Sequence, residues 1–330
     1  MSAVAPLIQL RVVTNSELRT ARACLRRHHF AYGLRRRPRA IADVLRFGTL
    51  WHIGQEAWWP EAEPAGRLEA ALTAMRAVDS DPFQLVMAEE LMIAYTALWA
   101  DAEWRTVAVE QGFEMPLVNP ATGAPSRTFR IGGRMDVIVA TVLGEQWLME
   151  HKTTAADIEE GSLYWKKVRA LDTQVSTYTA GARAAGYDVK GCIYDVVRKP
   201  GIRPLKATPE ASRKYKANGV LYANQREQDE TPEEYRLRLR EDINERPSRY
   251  FARGEVVRLD QDAREHAFDM WQQTRILREA ELSGAAPRNP DACSQFGQCP
   301  YFGVCSGEQD INDDTVFRTA ATPHEELENE

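Results

Sequence analysis

The spacing of apolar residues changes along this chain, and each change predicts an element. Ser16 to Leu34 reads as a helix capped by Asn15 or Ser16. Gly48 to Trp59 reads as a second, with Leu50, Trp51, Ile53, Trp58 and Trp59 as its apolar body. Helical texture resumes from Leu68 to Trp104, with a break at Asp81-Pro82, where proline removes a backbone donor. The period then drops to two. Thr106 to Val118, Thr128 to Val142 and Trp147 to Lys152 alternate as strands. The turn segments Asn119-Pro120-Ala121-Thr122-Gly123 and Leu143-Gly144-Glu145 separate them, so an antiparallel meander is expected.

A helix from about Ser162 to Ala185 and a strand from Lys190 to Arg198 come next. Strand, helix, strand implies a crossover and a parallel pair, hence a mixed sheet and a mixed α/β (α+β) chain. Arg203 to Asn224 is basic and aperiodic, and reads as a loop or arm. Thr231 opens a helix to Glu245, with Pro232 in its first turn and Glu234 three residues on. Tyr250 to Leu259 reads as a strand, Asp262 to Leu282 as a helix, and Pro287 to Cys305 as a turn-rich clasp. No internal repeat is present.

Composition adds limits. The 330 residues are 44% hydrophobic and 27% charged, an ordinary globular balance. No apolar run has the length of a membrane span, and the first residues lack the layout of a leader, so a cytoplasmic location is expected. Net charge is −6, but it is unevenly spread. Arginine is dense from Arg19 to Arg39, and basic residues recur from Lys166 to Lys216. Arg22, Arg26, Arg27, Arg35, Arg36 and Arg37 are read as phosphate clamps, joined by Lys166, Lys167 and Arg169. Acid gathers in residues 309–330, read as a mobile tail that aids solubility.

Two carboxylates and an amine carry the candidate chemistry. Asp136 and Glu150 each interrupt an otherwise apolar strand, and hairpin neighbours bring such side chains together. Paired carboxylates repel and want a cation, which suits Mg²⁺ or Mn²⁺ with their preference for oxygen ligands. Glu150 and Lys152 are two apart, so on a strand they share a face. Lys152 can hold an attacking water or steady a phosphate. His151 points the other way, and its carbonyl oxygen could complete a metal shell. Glu110 is a weaker candidate for the edge of this site, and reads first as a solvent-facing strand residue.

In order along the chain, Gly133-Arg134-Met135-Asp136, Glu150-His151-Lys152 and Gln174-Val175-Ser176-Thr177-Tyr178 resemble the motifs of the PD-(D/E)XK nuclease superfamily. They resemble more closely its RecB-like branch, which includes iron–sulfur exonucleases of CRISPR adaptation, AddB-type nucleases and phage proteins. The resemblance implies a restriction-endonuclease-like core, with a mixed central sheet flanked by helices. It implies one domain over residues 1–308, with a helical insertion at about 55–105. It assigns His52, in Gly48-Thr49-Leu50-Trp51-His52, as a metal ligand beside Asp136, Glu150 and His151. It places Gln174 and Tyr178, four apart on one helical face, against DNA. Glu150 stands where many RecB-like members carry Asp.

Five cysteines remain. Cys192 sits in an apolar strand and reads as a core thiol. Cys24 stands alone, while Cys293, Cys299 and Cys305 form a C-x5-C-x5-C run. Four thiolates can hold zinc or a [4Fe–4S] cluster, and spacing leaves both open. The resemblance implies the cluster, because relatives place one cysteine before the core and three after it. Such a cluster would staple the two ends of the chain.

The expected function is a Mg²⁺/Mn²⁺-dependent DNA exonuclease acting on single strands or DNA ends, in repair, recombination or CRISPR adaptation. The alternative is a non-catalytic DNA-binding or assembly subunit on the same fold. No phosphate loop of the form G-x-x-x-x-G-K-[ST] is present, so any motor would come from a helicase, recombination or CRISPR-adaptation partner. Trp165, Tyr164 and Tyr215 are read first as packing and only second as platforms for bases.

Overall fold

The computed structural model describes residues 10–40, 43–61, 63–99, 104–295 and 297–328. Thr14 closes a short strand, β1 (Arg11–Thr14), and caps helix α1 (Asn15–Ala23), its hydroxyl accepting from the Glu17 N–H at 3.2 Å. The first predicted helix is not continuous. Cys24 is extended, with φ −165° and ψ 116°, and separates α1 from α2 (Leu25–His28). A π-helical turn, His29–Gly33, and strand β2 (Arg36–Pro38) follow.

Helices α3 (Asp43–Trp58), α4 (Pro64–Arg76) and α5 (Pro82–Leu98) make up the helix-rich stretch. The break expected at Asp81-Pro82 is a helix start. Pro82 needs no donor in the first turn, and the Asp81 carboxylate accepts the N–H groups of Phe83 and Gln84. The meander is β3 (Arg105–Val118), β4 (Pro125–Ala140) and β5 (Gln146–Thr154). The long helix predicted next is two, α6 (Leu163–Leu171) and α7 (Thr173–Ala184), divided at Asp172. That carboxylate caps α7 through the Gln174 N–H at 2.8 Å and accepts the Tyr194 hydroxyl at 2.7 Å.

Strand β6 (Val189–Arg198), helix α8 (Pro232–Glu245), strand β7 (Phe251–Val256), helix α9 (Asp260–Ser283), the short α10 (Phe302–Ser306) and strand β8 (Phe317–Thr319) complete the order. The capping box expected of Thr231 and Glu234 is formed at the start of α8.

The main sheet is mixed, with β4 as its spine. One edge of β4 pairs antiparallel with β3. The other edge is shared: β5 pairs antiparallel with Val137–Ala140, and β1 pairs parallel with Phe129–Gly132. Strand β6 is parallel to β5, and β7 antiparallel to β6. Apolar residues fill both faces. Trp51, Trp58, Leu91, Tyr95 and Leu239 of α3, α5 and α8 cover one. Leu18, Trp165, Val175 and Met270 of α1, α6, α7 and α9 cover the other. Cys192 is 2% exposed within the second core, where a plain core thiol was expected.

The segment after the last cysteine differs from the mobile tail that its acidity suggested. Strand β8 pairs antiparallel with β2, Phe317 is fully buried, and His324 is buried against the Glu17 carboxylate at 3.1 Å. Two of its acids pair with arginines, Asp314 with Arg36 and Glu325 with Arg318. Net composition could not reveal this, because Arg36 lies far off in sequence and the Arg318–Glu325 pair forms only once the segment folds back.

Candidate active site

The site lies in a fork of the sheet. Strand β4 leaves β5 at Val137 and meets β1 at Gly132, so residues 133–136 fall between its two partners on that edge. Asp136 stands in the gap. Its Oδ2 accepts the His151 backbone N–H at 2.8 Å, a side-chain bond where the ladder stops. Continuing the Val137–Met149 register by one step sets Glu150 opposite Asp136, on the same side of the sheet. Lys152 Nζ donates to Glu150 Oε1 at 2.5 Å. Gln174, from α7, closes a triangle: its Nε2 donates to Glu150 Oε1 at 2.5 Å and its Oε1 accepts from Lys152 at 2.9 Å.

This cluster is short of positive charge. Burial, and next the charge of Asp136, push the Glu150 carboxyl up to about 8, against the pull of Lys152. Burial alone would lower the Lys152 ammonium, but Glu150 and Asp136 outweigh it and the net shift is upward. A buried acid that resists ionising beside a second acid is a place where a divalent cation lowers the free energy. The oxygen donors fit such an ion.

His52, on α3, reaches the cluster, with Nδ1 3.9 Å from Asp136 Oδ2. Loss of water contact lowers its pKa and Lys152 adds to that, which favours the neutral imidazole a metal needs. Tyr178, one helical turn on from Gln174, packs edge-on against Phe113 at 5.6 Å. The adjoining β4 residue must be small: a Cβ on Gly133 would lie 2.6 Å from Phe113 and 3.0 Å from Tyr178. His151 turns to the opposite face, as its strand parity predicts. There it is 1% exposed, with Nδ1 3.1 Å from Asp195 Oδ2. Asp195 also takes the Tyr95 hydroxyl at 2.5 Å and Arg253 Nε at 2.9 Å. This buried network, invisible to a scan of adjacent residues, fixes the strand that presents Glu150 and Lys152.

Glu110, read first as solvent-facing and second as a candidate for the site's edge, lies beside Arg134. It adopts φ +50°, a left-handed backbone costly for a non-glycine residue, and its carboxylate accepts from Arg134 Nε at 2.8 Å. Desolvation, then the nearby charge of Asp136, raise it to about 7. Period-two reasoning assigns faces only where the strand is regular, and here it is not.

The four cysteines Cys24, Cys293, Cys299 and Cys305 line one cavity of about 180 Å³ beside Arg27 and Arg288, and all are free thiols. Burial, then the charges of Cys24 and Cys299, raise the Cys305 thiol. Asn289 Nδ2 donates to the Ala23 carbonyl at 2.9 Å, and Arg26 N–H to that of Pro287 at 3.1 Å, so the ends meet here as expected. Among the described residues, no three His, Cys, Asp or Glu side chains are gathered tightly around one point. The donor chemistry of both clusters suits metal; the side chains stand around each position rather than closed upon it.

The arginines read as phosphate clamps are largely spent on the fold. Arg26, Arg35 and Arg37 donate to the carbonyls of Ala286, Ala321 and Pro323, and Arg36 is 8% exposed. Arg169 pairs with Glu160, and Trp165 is 1% exposed beneath Gly254, so it is no base platform. Among the described residues, no helix is long and apolar enough to cross a membrane.

A family model for the PD-(D/E)XK nuclease superfamily matches residues 12–306. No curated protein matches the chain. A solved structure titled "Crystal structure of SSO0001" is similar at 13% identity, over 94% of this chain and 91% of that one, with a TM-score of 0.35.

Proposed function

Since the chain belongs to the PD-(D/E)XK nuclease superfamily, we propose that it is a Mg²⁺/Mn²⁺-dependent deoxyribonuclease, and specifically an exonuclease on single strands or DNA ends. Its mixed central sheet between helical layers agrees with the restriction-endonuclease-like fold of that superfamily. The observation that carries the reading is the Asp136–Glu150–Lys152–Gln174 cluster in the sheet fork.

In this reading His52, Asp136, Glu150 and the His151 carbonyl hold the cation. When bound, the ion supplies Lewis acidity and an acidified water. Asp136 is preset by the His151 N–H, so its second oxygen is left to turn toward the cleft. Lys152 exchanges its grip on Glu150 for the attacking water or a non-bridging phosphate oxygen, and Gln174 follows it. Tyr178, one helical turn on from Gln174, lies against the scissile strand. Glu110 holds Arg134 at the rim, where its guanidinium can take a phosphate.

The four thiolates are proposed to hold a [4Fe–4S] cluster. They line one cavity fed from both ends of the chain, and thiolates are the ligands such a cluster takes. Its role would be structural, pinning the extended Cys24 between α1 and α2 to the C-terminal clasp.

End-labelled linear and closed circular single strands, incubated with Mn²⁺, test the activity. An exonuclease shortens the linear strand from an end and spares the circle. Cleavage of the circle would refute the exonuclease assignment, and cleavage unaffected by Asp136→Asn would refute the site.

A further inference from the structure

Past Ile202, which packs against the first core, the arm between β6 and α8 stays outside both cores, yet it is built with care. Leu205 and Ala207 N–H donate to the carboxylates of Glu230 and Asp229 at 2.8 Å, and Thr208 N–H to the Arg226 carbonyl at 2.9 Å. Arg213 donates across the arm to the Glu227 carbonyl at 2.9 Å, and Lys214 N–H to Gln225 Oε1 at 2.6 Å. Beyond these rungs a small hairpin closes the tip. Tyr215 bridges Leu221 antiparallel, Lys216 N–H donates to Val220 at 2.8 Å, and Gly219 supplies the φ of +76° that the turn needs.

What this framework holds up is apolar, aromatic and basic, and it faces water. Tyr215 is 51% exposed, Val220 55% and Tyr222 48%. Lys214 and Lys216 make no ion pair among the described residues. From Arg198 to Arg226 the sequence carries eight Lys or Arg and one acid, Glu210, in a chain of net charge −6. Ordering exposed tyrosines with polar rungs gains nothing in water, because rigid apolar surface is left wet. It does preorganise a surface for a partner. A partner that is anionic and offers flat faces is a nucleic acid with unpaired bases.

The root of the arm says where that partner lies. Lys199 N–H donates to the Thr154 carbonyl at 2.7 Å, two residues past Lys152, and Gly48, in the second turn of α3, abuts Thr153. The arm therefore leaves the sheet at the end that carries the catalytic lysine.

We propose that the hairpin Lys214–Tyr222 is a strand-gripping finger that stacks unpaired bases on Tyr215 and Tyr222 beside the cleft. It deepens the nuclease reading and rests on it. The finger binds nucleotides that the cleft does not, so its contribution grows with substrate length.

The test uses the full chain and single-stranded oligo(dT). Binding is followed by anisotropy in chelator, and cleavage in Mn²⁺. Tyr215→Ala/Tyr222→Ala is expected to weaken a strand of about 30 nucleotides by at least about tenfold, given the usual worth of base stacking. Tyr215→Phe/Tyr222→Phe should restore it. Lys214→Ala/Lys216→Ala should lower the salt dependence by roughly one unit of slope. KM for the long strand should rise with kcat unchanged, while a strand of about 6 nucleotides, within a single binding site, is cut as before. Unchanged melting temperature checks the fold. Wild-type binding by the alanine pair, failure of the Phe pair to rescue, or equal losses on long and short strands overturns the finger. If the wild type cuts normally and the finger variants match it, the finger alone is wrong and the face belongs to a protein partner. If the wild type neither binds nor cuts DNA, the nuclease reading falls and the finger with it.

Discussion

Replacing Glu150 by glutamine separates the cost of the acid from its use. Glu150 is 4% exposed and has its pKa raised from 4.5 to about 8 without a cation. A raised carboxyl pKa means that the folded state keeps a proton the unfolded chain has released. Stability from this group is therefore full below pH 4.5 and lost as pH rises toward 8. At pH 7.5 the cost reaches about 4 kcal/mol. Glutamine avoids it but leaves Lys152 with only Asp136 as counter-charge, so we expect a net gain of roughly 1–3 kcal/mol in the metal-free protein. For a chain of this size that is about 2–4 °C in melting temperature. Mn²⁺ at a hundred times its Kd should stabilise the wild type by about 2.7 kcal/mol and the variant hardly at all. Binding must also displace the Glu150 proton, so wild-type Kd should weaken close to tenfold per pH unit from pH 8 down toward 5. Thermal unfolding in chelator and in Mn²⁺, at pH 6, 7 and 8, reads every quantity. Glu150→Gln melting below wild type in chelator, or a wild-type Kd indifferent to pH, would refute the reasoning.

Lys152→Ala should cut turnover by about 10²–10³, the usual worth of one preorganised charge, without weakening Mn²⁺ binding. A variant that lost both would make Lys152 a structural residue. Cys24→Ala and Cys299→Ala should each abolish iron content and visible absorbance and lower the melting temperature by at least about 5 °C. Zinc in place of iron, or full colour in either variant, contradicts the cluster. Burial pulls the His324 imidazole down, but its ion pairs with Glu17 and Glu326 win and hold it at about 9. Its contribution is complete below pH 6.5 and fades as pH rises through 9, by up to roughly 3 kcal/mol. Wild-type stability should decline across that window and the slope should flatten in His324→Gln. Equal slopes would show that the C-terminal segment is not anchored by this pair.

The strands and most helices were legible because their periods are strong and their punctuation is chemical. Thr231 with Glu234, Asp81 with Pro82 and the glycines of the meander mark boundaries that the backbone obeys. Two helices predicted whole are broken, and both breaks are useful. Asp172 does not look like a breaker mid-pattern, yet its carboxylate finds the Gln174 N–H and the Tyr194 hydroxyl, and so aims α7 at the cluster. Cys24 gives no propensity signal, but its extended backbone sets it on the cavity shared with the late cysteines. Long-range partners decide both, and such partners are absent from any local window.

The same distinction explains why the sequence pointed to the centre of the candidate site and not to what surrounds it. Asp136, Glu150 and Lys152 announce themselves, because a charge in an apolar strand has few structural excuses. Glu110 read first as a solvent-facing strand residue, and its pairing with Arg134 beside the candidate site comes with a left-handed kink that alternation does not show. The buried Tyr95–Asp195–Arg253 set is drawn from three elements, and ties β5 from behind through His151. The arginine run misled for the opposite reason. Dense positive charge reads as a nucleic-acid footprint, but guanidinium is also the side chain best suited to gathering carbonyls, and Arg26, Arg35, Arg36 and Arg37 do that for the C-terminal segment. Charge density alone therefore cannot locate a phosphate path. The discriminating property is charge left without an ion pair, and among the described residues Lys214 and Lys216 keep it, as do Arg27, Lys166 and Lys167, whereas Arg36 is spent on Asp314.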